Sequence, residues 1–147
     1  LEVGGVTRAQ IMEYPPQKDI YEAFLKILEK YVDKFDKTDK FFLIGFNNQA
    51  FDNSFLRAFF KQCGDDYFGS WFWSTSPDVM VLATQRLMTV RHLMPNFKLM
   101  TVAKFMKVKV EEEKLHDAMY DTYITREIYK LLNKEFISVV PRGISSK

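Results

Sequence analysis

Cysteine, histidine and long apolar runs are all scarce in this 147-residue chain, and each scarcity excludes something. The single cysteine, Cys63, rules out an internal disulfide and fits a reducing compartment. No apolar run approaches the ~20 residues that a membrane-spanning helix needs, and no signal-peptide pattern is present. A cytoplasmic protein without a membrane partner is therefore expected. The formal charge of +2 lacks the strong basic excess of many nucleic-acid binders. It leaves room for a protein that holds a strand end through metal ions. With two histidines in all, imidazole chemistry must rest on His92 or His116. The chain opens on Leu1 rather than Met, which suggests a fragment or a processed product. It has no internal repeat and no low-complexity segment.

What is abundant is aromatic and apolar. A hydrophobic share of 47% with a charged share of 27% describes a globular chain able to bury a core. Fourteen Phe and seven Tyr point to a Phe-rich core. The functional alternative, base stacking, requires exposed rings.

Along the chain, residues 1–14 read as a connector. Over 18–35, Ile20, Phe24, Ile27, Leu28, Tyr31, Val32 and Phe35 recur at three and four, which predicts an amphipathic helix entered at Pro15-Pro16. Residues 41–46, Phe-Phe-Leu-Ile-Gly-Phe, form a short continuous apolar run and predict a strand buried on both faces. A helix over 52–63 presents Phe55, Leu56, Phe59 and Phe60 and stops at Gly64. Tyr67 to Trp73 reads as loop or extended chain. Further helices are expected from Asp78, carrying Val81, Leu82, Gln85 and Met88, then over 95–107, and over about 117–134. The tail from Ser138 reads as frayed, so the expected domain is 1–137 with a flexible 138–147.

Two segments carry chemistry. Asp52 follows the apolar run and the pair Asn47-Asn48. A carboxylate there suits a metal ligand or a helix cap, and the two roles are compatible. The second segment is Leu115-His-Asp-Ala-Met-Tyr-Asp121. If His116 and Asp121 shared one helix, their side chains would point about 140° apart. They converge only if His116 precedes the helix and Asp121 occupies its first turns. Asp117 suits the helix start and reads as structural, as does Asp78 after Pro77. A surface loop histidine is the plain reading of His116, and the run 111–114 reads as a solvated face.

Together the segments resemble the DEDDh family of 3′–5′ exonucleases, which includes bacterial polymerase proofreading subunits. Asn47-Asn48-Gln-Ala-Phe51-Asp52, followed by Phe55-Leu56, is similar to that family's second motif, and His116-Asp-Ala118-Met-Tyr-Asp121 to its third. Asp78 to Ala83, Phe97 to Phe105 and Leu1 to Ile11 resemble the intervening and preceding segments. The family's first motif, Asp-x-Glu, occurs nowhere in the chain.

The resemblance implies an α/β, ribonuclease H-like fold, N-terminally truncated. Its first three strands would be missing, and mostly helices would remain around a short parallel sheet remnant. It implies hydrolysis of nucleotides from single-stranded DNA 3′ ends, or RNA ends, by two-metal-ion catalysis with Mg²⁺ or Mn²⁺. Asp52 and Asp121 would be metal ligands, His116 the general base, and Asn47, Asn48 and Phe51 the shapers of the nucleotide pocket. A DNA polymerase partner and self-association through the bare edge of 41–46 would follow. The competing expectation is a catalytically silent nucleic-acid-binding or protein-interaction domain.

Overall fold

The computed structural model describes residues 7–111, 113 and 117–134. The chain divides into two compact units, Leu1–Pro77 and Asp78–Lys147. The expected tail from Ser138 and the catalytic candidate His116 lie outside the described residues.

In the first unit, α1 (Arg8–Met12) replaces part of the expected connector. Thr7 and Gln10 form a capping box: the Thr7 hydroxyl accepts from Gln10 N, and the Gln10 side chain accepts from Thr7 N at 2.8 Å. Helix α2 (Gln17–Leu28) follows Pro16 and ends earlier than the stripe predicted. Its buried face is also rotated. Tyr21 and Leu28 are buried with Phe24 and Leu25 packed beside them, a spacing of three, four and seven. Ile20, Ile27, Tyr31 and Phe35 point outward, Phe35 being 85% exposed. Both stripes are apolar, and the one that meets α3 was selected.

Helix α3 (Asp52–Gln62) buries Phe60 completely. The Phe60 ring meets Tyr21, Phe24, Phe68 and Phe72 edge-on, with centroids 5.1–6.2 Å apart. The helix ends as the sequence requires. Gly64 takes φ +80°, its N–H donates to Lys61 O, and Asp65 N–H donates to Phe60 O, both at 3.0 Å. The aromatic stretch expected to be loop or extended chain contains a single helical turn, α4 (Phe68–Trp71), before an extended Phe72-Trp73, and supplies the core with Phe68, Trp71 and Phe72.

The expected α/β sheet does not form. Among the described residues there is no strand; Phe41 makes an isolated parallel bridge to Phe72, and Gly45 also takes an isolated bridge position. Phe41 N–H donates to Trp71 O at 2.8 Å, and Trp73 N–H donates to Phe41 O at 2.9 Å. The ladder stops there for local reasons. Trp71, beside the Phe72 bridge, closes a helix, and the chain bends at Phe46 directly after the Gly45 bridge position. The run is not buried on both faces either. Phe41 and Leu43 pack on the core while Phe42 and Ile44 face outward. A continuous apolar run thus behaves as a one-sided extended segment, and the ribonuclease H-like architecture is set aside for a mostly helical one.

The second unit is helical throughout its described part. Helix α5 (Val79–Leu87) runs into a 3₁₀ turn, Met88–Leu93, and is followed by α6 (Leu99–Phe105) and α7 (Ala118–Leu132). Both α5 and α6 pack on α7. The inward residues of α5 are Val79, Ala83 and Leu87, rather than the expected Val81 and Met88, which are exposed. Those of α7 are Tyr120, Ile124, Thr125 and Ile128. Small side chains at Ala83 and Ala103, both fully buried, let the helices approach closely. No helix among the described residues is long and apolar enough to cross a membrane.

Candidate functional site

The two segments singled out in the sequence lie in different units, and each organises its polar groups locally. In the first unit, the turn between the extended segment and α3 is built around Asn48. Asn47 sits at φ 62°, a conformation that Asn tolerates better than most residues. Asn48 is buried, at 3% exposure. Its Nδ2 donates to Leu43 O at 3.3 Å and to Asn53 Oδ1 at 3.2 Å, and Asn53 Nδ2 donates to Ser76 Oγ at 2.7 Å. The Asn48 main-chain carbonyl accepts from Asn53 N at 2.9 Å and Phe51 N at 3.3 Å. The side-chain Oδ1 of Asn48 is buried and finds no hydrogen-bond partner among the described residues.

Asp52 is the first residue of α3 and is exposed. The capping role weighed for it is not realised: the cap position falls on Phe51, and no side chain caps the helix. Its carboxylate faces solvent in the first turn, where the helix dipole favours a negative charge. Phe51 and Phe55 form an exposed ring pair with centroids 4.7 Å apart. The four sequence candidates Asn47, Asn48, Phe51 and Asp52 are thus gathered on one turn. Sequence reasoning missed Asn53, Ser76 and Gly45. The Gly at three residues before Asn48 was the available signal, since a Cβ on Gly45 would meet the Asn48 side chain at 2.5 Å.

In the second unit, Asp117 is the cap of α7, as expected of it: its Oδ1 accepts from Tyr120 N at 3.0 Å. Asp78 does the same for α5, accepting from Met80 N at 2.9 Å. Because Asp117 satisfies the helix end, Asp121 is not needed there. It lies in the first turn of α7, its Oδ1 is buried, and that oxygen has no hydrogen-bond partner among the described residues. Thr125 donates its hydroxyl to the Asp121 main-chain carbonyl at 2.8 Å rather than to the carboxylate. The Tyr120 hydroxyl accepts from Glu111 N and ties the preceding segment to the helix. A carboxylate oxygen removed from water without a donor is costly unless a cation or a proton donor meets it.

Hard cations prefer oxygen donors, and a metal site would need further ones around Asp121. The set as a whole does not assemble one: among the described residues, no group of three or more His, Cys, Asp or Glu is placed to hold a metal ion. Comparisons with family models, curated proteins and solved structures find no significant match for this chain.

Proposed function

We propose that this chain contributes to metal-dependent hydrolysis at the 3′ ends of single-stranded nucleic acid, with Asp121 as a carboxylate ligand. The observation that carries the reading is the buried, unpartnered Oδ1 of Asp121, beside an Asp117 that already does the capping. Bound Mg²⁺ or Mn²⁺ supplies Lewis acidity at a scissile phosphate. The chain's own part is to present the Asp121 carboxylate from the first turn of α7, while the exposed Phe51–Phe55 pair of the first unit offers rings on which a base can stack. By the resemblance, His116 takes the proton of the attacking water, a task that an imidazole with an ordinary pKa near ~6.5 suits.

The resemblance supplies only two carboxylates, too few to balance two divalent cations, so these 147 residues are expected to release little or no nucleotide. Metal uptake is the more direct test. The resonance signal of free Mn²⁺ is expected to fall when the protein is added, and to be restored by Asp121→Asn but not by Asp117→Asn. Equal uptake by wild type and Asp121→Asn, or none by either, removes the ligand role and with it the nuclease reading.

A second reading has its own support. The exposed Phe51–Phe55 ring pair suits a module that binds strands without cutting them. Strand binding in a metal chelator, with no metal uptake in its absence, is the result expected of that module.

A further inference from the structure

Charge is unevenly distributed along this chain. The acidic excess lies in Leu1–Pro77 and the basic excess in Asp78–Lys147. Between Asp78 and Glu111 there is no Asp or Glu, while Arg86, Arg91, Lys98, Lys104, Lys107 and Lys109 all fall there. All are exposed except Arg91, which is half-buried. They occupy successive short elements: the last turn of α5, the 3₁₀ turn, the two ends of α6, and the segment after it. The formal charge of +2 conceals this stretch because the first unit offsets it.

Apolar and aromatic groups interleave with the cations. The Arg91 guanidinium lies 4.8 Å over the Phe97 ring and donates to Met94 O at 3.2 Å. An open depression of about 350 Å³ is lined by Leu93, Pro95, Met100 and Phe105, with Thr101 and Lys104 on its wall. Leu93 and Phe105 are exposed at its edge. Cations spaced along a path, next to a concave apolar patch that carries an aromatic ring, suit a polyanion whose charges alternate with flat apolar groups.

We infer that residues 86–109 form a docking face for a single-stranded nucleic acid, its phosphates held by the lysines and a base received in the depression beside Phe105. Charge complementarity names the occupant: a phosphodiester strand presents both the anions and the rings. An anionic lipid surface fits less well. Peripheral membrane helices are long and amphipathic, whereas α6 has seven residues and the cations are spread over turns. The choice of strand over other polyanions rests on the nuclease reading; the face itself does not, since no metal and no hydrolysis enter it.

The test is anisotropy of fluorescein-labelled oligothymidylate with the full 147-residue chain, in chelator, over a salt series. Oligouridylate is run alongside, and binding of either strand supports the face. The apparent affinity should fall steeply with salt, by about 0.7 logarithmic units per logarithmic unit of salt for each phosphate neutralised. The triple variant Lys98→Glu, Lys107→Glu, Lys109→Glu should weaken binding at least about tenfold and flatten that slope by about two. Lys18→Glu, Lys26→Glu, Lys30→Glu makes the same change of net charge in the first unit and should leave the slope unchanged. Should the first triple variant lose its circular dichroism signal, Gln at the same three positions takes its place. Equal losses in both triple variants overturn the proposal, as does binding to phosphatidylserine vesicles in preference to either strand. Strand binding that survives Asp121→Asn, whatever becomes of metal uptake, separates this face from the nuclease reading.

Discussion

A Cβ placed on Gly45 would lie 2.5 Å from the Cβ of Asn48 and 2.9 Å from its Cγ. Real side chains do not approach so closely, and Asn48 has no room to move: it is buried and bonded to Leu43 and Asn53. Gly45→Ala is expected to displace the turn and cost about 1–3 kcal/mol, the range for overpacking a filled site. Gly69 gives the contrast, since a Cβ there meets nothing within 4 Å. Gly69→Ala should be neutral or stabilise by up to about 1 kcal/mol. Urea midpoints of the two variants decide the matter, and equal midpoints would mean that Asn48 is not held as described.

The aspartates of α7 should separate stability from chemistry. Asp117→Ala removes the cap accepted from Tyr120 N and is expected to cost about 1 kcal/mol without affecting metal uptake. Asp121→Asn should do the reverse. It removes a carboxylate whose buried oxygen is unpartnered, so metal-free stability should hold or rise slightly. Thermal melts with and without Mn²⁺ read both effects, and destabilisation of metal-free protein by Asp121→Asn would contradict the assignment.

Tyr21 sets an alkaline limit. Its hydroxyl donates to Asp65 Oδ2, and its pKa is raised well above the ordinary value, first by burial, then by the hydrogen bond and negative charge of Asp65. The folded state therefore favours the protonated phenol. That contribution is fully present below the ordinary tyrosine pKa of about 10 and is lost as pH rises beyond it. Tyr21→Phe should lower stability at neutral pH by about 1.5–3 kcal/mol, the range for a hydrogen bond to a charged group. It should also flatten the fall of stability above about pH 10. Denaturant titrations at neutral and alkaline pH check the sign; an unchanged alkaline slope would remove Tyr21 as its source.

Phe60→Ala should be among the most damaging single changes in the first unit, at about 3–5 kcal/mol, because the ring is fully buried against four others. Both tryptophans, Trp71 and Trp73, belong to that unit, so their fluorescence reports on it. Fluorescence-detected unfolding should shift strongly in Phe60→Ala, while Ile124→Ala, buried in the second unit, should be read by circular dichroism. A fluorescence midpoint unmoved by Phe60→Ala would contradict the packing.

Several of these features are legible without coordinates. Gly64 at a helix end, Asp78 and Asp117 at helix starts, and Asp121 in a first turn are all local. Each follows from a few adjacent dihedral angles and the donors they leave unpaired. The failures are of another kind. Both the Ile20–Ile27 stripe and the Tyr21–Leu28 stripe of α2 are apolar, so periodicity gives a helix without saying which side is buried. The run 41–46 has the composition of a central strand, yet a strand exists only if neighbours supply a ladder, and among the described residues only isolated bridge positions form. The Asn48–Asn53–Ser76 network spans too many residues for spacing to reveal.

By itself, then, the sequence determined that α3 stops at Gly64 and that Asp78 and Asp117 cap the helices they precede, because those outcomes depend on hydrogen bonds reached within a turn. It also determined the run of cations uninterrupted by acids between Asp78 and Glu111. Tertiary structure alone decided which apolar face is covered, that the Phe-rich run remains an extended segment rather than a sheet, and that one Asp121 oxygen is buried without a partner among the described residues. Those depend on contacts between segments remote in the chain, where burial of area and the pairing of polar groups are settled together.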